Sequence, residues 1–376
     1  MFPIIFGCAP WRAPAASATA ATAATAVEPF RTDLAVSGEG APHYRIPALI
    51  VTTAGTVLAA YDARPTLNDL PSNISLVLRR STDNGRTWGV PIIVRRDTAP
   101  NGYGDPSLLV DRSTKRIFLF HAAGVLQGFF GSHSGNDEAN PNILQADVSF
   151  SDDDGLTWRH RRITNQIKRP AWGGLFASSG AGIQLKRGAH AGRLVQQYVI
   201  RINGAVWAAS AFSDDHGDSW RMGTPIGPGA DENKAVELAD GRLMLNSRAK
   251  PVRKIAWSND GGESWTDWRD EPQLTDPANN GAIIRYAPDG TPTARQSHWL
   301  LFSNTEHPSE RRNLALKLSC DDGITWPVRT VVDAGTAAYS TIAILRDGAL
   351  GVLYERGDYA AITFVRQPLP RACPTS

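Results

Sequence analysis

The chain has 376 residues, 42% of them hydrophobic, with a formal net charge of +2. Its length allows one large closed β domain or two to three smaller domains, the small charge excludes strong attraction to nucleic acid or an anionic membrane surface, and no run of about twenty apolar residues is present to span a bilayer. Cys8, Cys320 and Cys373 are too scattered for a metal cluster, while 34 Gly, 25 Pro and 11 Trp suit many short strands and turns.

Residues 1–27 differ from the rest. Phe2 to Phe6 is a short apolar run, and an Ala/Thr/Pro-rich tract follows, ending Ala23-Ala24-Thr25-Ala26. That end is similar to the small-residue cleavage site of a secretory signal. The basic start of such a signal is missing and the apolar run is short, so a disordered linker is the alternative. Ile5-Phe6-Gly7-Cys8 also has the outline of a lipoprotein cleavage site. The expectation is a leader or disordered segment over 1–27, a folded domain over 28–376, and a secreted or periplasmic location.

From Phe30 the chain reads as strands and turns. A motif S-x-D-x-G-x-[ST]-W occurs five times, from Ser81, Ser151, Ser213, Ser258 and Ser319 to Trp88, Trp158, Trp220, Trp265 and Trp326. Such self-similarity marks repeated supersecondary units. The motif predicts a hairpin turn: Asp accepts backbone N–H bonds, Gly supplies positive φ, and Trp anchors the turn on the core. Asp152-x-Asp154-Gly155 has the start of a calcium loop but lacks its further ligands. Strands of β-branched, aromatic or alternating residues lead into most copies, as at Ser75 to Arg80 and Leu144 to Phe150. Another hairpin lies ahead of each, as at Ile46 to Val51 with Thr56 to Tyr61, and Gly182 to Leu185 with Leu194 to Ile200.

Each unit is therefore four antiparallel strands, the blade of a β-propeller. The C-terminus adds three strands, Ser340 to Leu345, Leu350 to Glu355 and Ala360 to Arg366, and Phe30 to Val36 can supply a fourth. The expected fold is all-β: a six-bladed β-propeller whose last blade is closed by the N-terminal strand. Cys320 lies in the fifth motif, and the Pro-rich tail emerges beside that blade on the motif face. A Cys320–Cys373 disulfide is expected; the alternative is two free thiols.

In such a meander the motifs decorate one face, and a site at the pore mouth uses the other. Arg45, Arg64, Asp69, Asp105, Glu237, Arg253, Arg311, Arg312, Tyr339 and Glu355 fall at that second set of positions. Arginine clusters recognise carboxylate or phosphate through planar, bidentate contacts, and no phosphate-cradling G-x-x-x-x-G-K-[ST] loop is present.

With Tyr44-Arg45-Ile46-Pro47 near the start and five motifs of the Asp-box type after it, the chain resembles the catalytic propeller of bacterial sialidases (neuraminidases) over roughly Phe30 to Arg366. The resemblance implies an exo-acting, retaining hydrolase of terminal α-linked sialic acids that needs no metal or organic cofactor and acts as a monomer on sialylated glycans. It implies that Arg45, Arg253 and Arg311 clamp the substrate carboxylate; Arg311 is preferred to Arg312 because it lies eight residues before Ser319. It further implies Asp69 as acid/base, Tyr339 as nucleophile, Glu237 as the base of Tyr339, Glu355 as the support of Arg45, and Arg64 and Asp105 as pocket-lining residues. A neutral phenol suits this chemistry because the substrate's own carboxylate repels an anionic nucleophile; free Tyr titrates near 10, and nearby Arg favours the phenolate.

Two other classes remain open on the residues. A glycan-binding propeller without activity would carry the same motifs but has no need of the Tyr339, Glu237 and Asp69 set. A trans-sialidase, an intramolecular trans-sialidase or an endo-glycanase would use the same scaffold.

Overall fold

The structure, a computed structural model, describes residues 1–3, 30–287, 293–370 and 373. The expected leader, beyond residues 1–3, and Cys8 lie outside them. The regular structure of the described chain is almost entirely strand; its α-helical content is one four-residue turn, Thr164–Ile167. Among the described residues no helix is long and apolar enough to cross a membrane.

The strands form antiparallel meanders. His43–Val51, Val57–Arg64, Ser75–Ser81 and Ile92–Arg95 pair in that order, as do Gly102–Val110, Ile117–Gly124, Gln145–Ser151 and Arg159–Arg162. Leu175–Ala177, Leu194–Ile202, Ala205–Ser213 and Arg221–Met222 make a third set, and Asn233–Glu237, Leu243–Ser247, Val252–Ser258 and Thr266–Thr275 a fourth. A seven-stranded sheet holds the rest: Ala282–Arg285, Leu300–Thr305, Arg312–Ser319, Val328–Ile344, Ala349–Arg356, Ala361–Pro368 and Phe30–Val36. The expected pairing of the first strand with the last is present, Arg31 opposite Val365 and Val36 opposite Ala361.

Apolar residues that alternate along these strands fill the spaces between neighbouring sheets. Phe118 and Phe120 of one set meet Tyr198 and Trp220 at the next. Leu34 and Phe364 meet Tyr44 and Tyr61, which joins the seven-stranded sheet to the first meander.

The repeated motif folds as a turn with one internal pattern. Asp83 Oδ1 accepts from Thr87 N at 2.9 Å and from Ser81 Oγ at 2.8 Å, and Gly85 N donates to Ser81 Oγ at 2.8 Å. Asp153, Asp215, Asp260 and Asp321 repeat the contact to the backbone N–H four residues on. Gly85 has φ +78°, and a Cβ there would lie 2.5 Å from Phe364, so both conformation and space require glycine. The motif is thus a structural device, with its carboxylates spent on the turn.

Two strands differ from expectation. The first strand of the third set breaks into pieces: Leu175–Ala177 and Ile183–Gln184 pair with Leu194–Ile202, while Gly180–Ala181 pairs in parallel with Ser107 and Leu108 of the second set. Gly180 at φ +124° makes the break, and Ser178 and Ser179 are left with side chains in the interior. Val328–Ile344 is one strand of 17 residues. It is exposed up to Thr336 as the outer strand of one meander and buried from Ala337 as the first strand of the next.

Cys320 and Cys373 are joined by a disulfide with Cα atoms 6.2 Å apart, and Cys373 packs into the adjacent core. The route expected for the tail accounts for this.

Candidate active site

Side chains from several sheets converge on a cavity of about 340 Å³. Arg45 enters it from a bulge, where the pairing of His43–Val51 slips between Arg45 and Ala48. Pro47 has no N–H to give the ladder, and Ile46 takes φ +59°; bulges of this kind re-aim a side chain. Ile46 N is released to donate to Glu355 Oε1 at 2.8 Å, and the same oxygen accepts from Arg45 Nε at 3.0 Å. The pairing slips again between Gly104 and Ser107, and between Ala337 and Ser340, which places Asp105 and Tyr339 on the cavity wall.

Tyr339 is the centre of the cluster. Its Oη accepts from Arg248 Nη1 at 2.7 Å, and the same nitrogen donates to Glu232 Oε2, which brings the phenol and the carboxylate to one donor. Its N–H donates to Glu355 Oε2 at 3.1 Å. The guanidinium carbons of Arg45, Arg248 and Arg311 lie 5.3, 5.9 and 5.3 Å from the centre of its ring. Burial, and next the Glu232 carboxylate, push the phenol well above its ordinary range, against the pull of the arginines. Burial also opposes the charge of Glu232, yet Arg248, the Tyr339 hydroxyl and Lys234 together hold it below the usual carboxylate range. The pair is a neutral phenol beside an ionised acceptor, ready to exchange one proton.

Arg248 also pairs with Glu232 Oε2 at 2.6 Å. Arg311 donates to Tyr359 Oη at 2.9 Å and to Ala278 O at 3.3 Å, and Arg45 stacks on Tyr359 at 4.4 Å. All three guanidinium groups are anchored from behind and reach the cavity, a geometry suited to one planar anion.

Asp69 stands on the same wall with its side chain 76% exposed, 4.0 Å from Arg45 Nη1. Arg64 holds it from below: Nη1 donates to Asp69 Oδ1 at 2.8 Å while Nη2 bonds Asp62 Oδ2 at 2.7 Å. Arg64 itself is buried and absent from the lining, so the expectation that it lines the pocket is corrected: its fork is consumed by the two aspartates. Burial pushes Asp62 up to about 7, against the pairing with Arg64. Asp105 does line the cavity, and burial together with Asp62 and Asp69 raises its carboxyl well above the ordinary range. Phe129, Phe130 and Phe176 form an apolar side of the cavity that sequence reasoning missed.

Two expected residues lie elsewhere. Glu237 ends the strand Asn233–Glu237, which Glu232 precedes. Five residues of strand separate them by about 16 Å, so Glu237 reaches a second cavity at the far end, where it accepts from Lys186 N and Arg187 N and pairs with Arg285 at 3.6 Å. Arg253 sits inside the strand Val252–Ser258, fully buried, bonded to Asn246 Oδ1, Asp276 Oδ2 and Asn279 O at 2.7, 2.9 and 2.6 Å. The residues in the cavity are Glu232 and Arg248, each five positions earlier, at the strand start and in the link where such a site must draw its groups. The signal was present in Asp231-Glu232-Asn233 and Ser247-Arg248-Ala249, which flank the apolar strands.

Residues 44–352 match the model of the BNR repeat-like domain family. The chain is 51% identical over 341 residues to a sialidase of Micromonospora viridifaciens, a match covering 88% of this chain and 53% of that protein. It is 30% identical to a sialidase of Bacteroides fragilis, over 85% of this chain and 61% of that one. The chain therefore spans little more than half the length of these relatives. Among solved structures, the Hadza microbial sialidase Hz136 superposes with a TM-score of 0.80 at 31% identity, covering 88% of this chain and 67% of that one. An intramolecular trans-sialidase from Ruminococcus gnavus shares the fold, with a TM-score of 0.74 at 21% identity over 89% and 96% of the two chains. A BNR repeat-like match over most of the chain, joined to these likenesses, makes it a member of the bacterial sialidase family.

Proposed function

We propose that the chain is an exo-acting, retaining sialidase that removes terminal α-linked sialic acids from glycoconjugates. The observation that carries this reading is Tyr339, bonded to Arg248, which also holds Glu232, and ringed by three arginines on the wall of one cavity. Arg45, Arg248 and Arg311 receive the substrate carboxylate. Tyr339, the type of nucleophile known in sialidases, attacks the anomeric carbon as Glu232 takes its proton, giving a tyrosyl-linked sugar. Asp69 protonates the departing oxygen and then takes a proton from the incoming water. Two displacements restore the original configuration.

The meanders support a reading as the blades of a six-bladed propeller. The long strand Val328–Ile344 serves two blades, and Phe30–Val36 completes the last. The Cys320–Cys373 bond supports work outside the reducing cytoplasm.

The test is hydrolysis of a fluorogenic α-sialoside, with the released sugar followed by NMR. Sialic acid appearing first as its α-anomer is expected. No release sinks the reading, first release of the β-anomer sinks the tyrosyl step, and an anhydro sugar or transfer to an added acceptor replaces hydrolysis by transfer.

A further inference from the structure

Behind Glu232 lies a set of polar groups that lines no part of the cavity. Lys234 is 3% exposed, and among the described residues it makes no direct ion pair with a carboxylate. Its Nζ donates to Ser178 Oγ at 3.0 Å, Asn280 Oδ1 at 3.0 Å and Asn233 O at 3.3 Å. Asn280 Nδ2 donates to Ser179 Oγ at 3.0 Å and to Ser179 O at 3.0 Å. Ser179 Oγ donates to Glu232 Oε1 at 3.2 Å. The space for Lys234 depends on Gly180, where a Cβ would lie 2.9 Å from Lys234 Cε.

The chain of bonds runs one way. An ammonium has donors only, so the amide oxygen of Asn280 must face it and the amide nitrogen must face Ser179. The Ser179 hydroxyl then accepts from Asn280 and has its own hydrogen left for Glu232. In a buried, low-dielectric setting such bonds polarise one another. An apolar side chain in place of the ammonium leaves Asn280 Oδ1 without that donor and removes the positive charge behind Glu232, which weakens the polarised chain of bonds, while Asn280 Nδ2 stays on the Ser179 carbonyl.

We infer that Lys234 is a positioning residue for the proposed reaction, whose ammonium, through Asn280 and Ser179, holds Glu232 oriented and ionised toward Tyr339. The inference rests on the sialidase reading, since it concerns how the base of that reaction is kept ready. Glu232 is faced by Arg248, Lys234 and Tyr339, with Asp231 and Asp105 near enough to act on it or feel it. Lys234 is faced by Glu232 and Arg253, and burial brings its own titration down to about 7. Below that pH the ammonium is present. Removing it leaves Arg248 as the remaining cation on Glu232, and the carboxylate then takes up a proton at higher pH.

The experiment is the pH profile of kcat and of KM, on a fluorogenic sialoside, for the full chain and its Lys234→Met and Ser179→Ala variants, with folding checked by circular dichroism. Lys234→Met is expected to move the acid limb of kcat upward by about one pH unit or more, with KM little changed, and Ser179→Ala to move it the same way by less. A folded Lys234→Met enzyme with the wild-type acid limb overturns the inference. If Lys234→Met does not fold, Ser179→Ala decides, and an unmoved limb overturns it. If the wild-type chain shows no turnover at all, the sialidase reading is what has failed, and the inference falls with it.

Discussion

Arg248 Nη1 lies 2.7 Å from Tyr339 Oη and 2.6 Å from Glu232 Oε2. One nitrogen therefore touches both ends of the proton exchange. In the proposed reaction, where the phenol gives its proton to Glu232, negative charge would move from one neighbour of that nitrogen to the other, and the guanidinium need not move. On that proposal the site would stabilise the phenolate without reorganising.

Tyr339→Phe removes only the phenolic oxygen. Turnover is expected to fall by orders of magnitude while a sialic-acid-like inhibitor still binds, because Arg45 and Arg311 keep other anchors. Steady-state kinetics with inhibitor titration checks this. Turnover near the wild-type level rules out Tyr339 as nucleophile.

Glu232→Gln and Glu237→Gln separate the two carboxylates. Glu232→Gln is expected to lower kcat by on the order of 10²- to 10⁴-fold, the usual worth of general acid–base help. Glu237→Gln, at the other end of the strand, is expected to leave kcat close to wild type. The reverse pattern would restore Glu237 as the base.

The two arginines separate in the same way. Arg248→Ala is expected to cost about 2–5 kcal/mol in kcat/KM, and Arg248→Lys to rescue little of it, because the fork is lost. Arg253→Ala leaves Asp276 buried without its cation. Its expected effect is a loss of about 3–5 kcal/mol of stability, read by denaturant unfolding. A stable Arg253→Ala protein with weakened substrate binding contradicts the placement.

Reducing Cys320–Cys373, or changing Cys373 to Ser, opens a link of 53 residues in sequence. Chain entropy sets an upper bound near 4 kcal/mol for its contribution, and about 2–4 is typical. A lower melting temperature with unchanged kcat is expected, since neither cysteine lines the cavity. Equal melting temperatures with and without reductant would show that the bond contributes nothing.

His121 is buried, with Nε2 3.1 Å from Ser149 Oγ, and burial lowers its titration to about 4. The unfolded chain takes up this proton near 6.5. Between about 6.5 and about 4 the unfolded state binds more protons, so this group's contribution to stability falls as pH falls through that window. The stability gap between wild type and His121→Gln is expected to narrow from pH 7 to pH 4.5 in urea titrations. A constant gap shows that His121 does not titrate as described.

Much of this was legible because it is periodic or local. The motif turns, the strand pairs around them, the closing pair of Phe30–Val36 with Ala361–Pro368 and the disulfide all follow from alternation and from tracing which face each turn occupies. Arg45, Asp69, Asp105, Arg311, Tyr339 and Glu355 were found because each sits at a strand start, end or link. Glu237 and Arg253 were misplaced because a short strand carrying charges among apolar residues reads the same from either direction. Only the strand's bounds tell which end meets the cavity. The broken strand at Ser178 to Gly180 was also illegible, since its cause is a parallel contact with Ser107 and Leu108, far away in sequence.

The strand Val328–Ile344 makes two neighbouring meanders one mechanical body. Tyr339 lies on the stretch where that strand passes from the outside of one to the inside of the other, so the proposed nucleophile stands at a splice and not at a joint. Slippage between those two layers would have to tear a continuous backbone ladder, whereas the second and third sets share only the short parallel bridge at Gly180–Ala181. Under hydrogen exchange the seven strands should open together as one cooperative unit. Opening of the cavity is then expected on the Asp69 side, with the Tyr339 side held by the seven-stranded sheet.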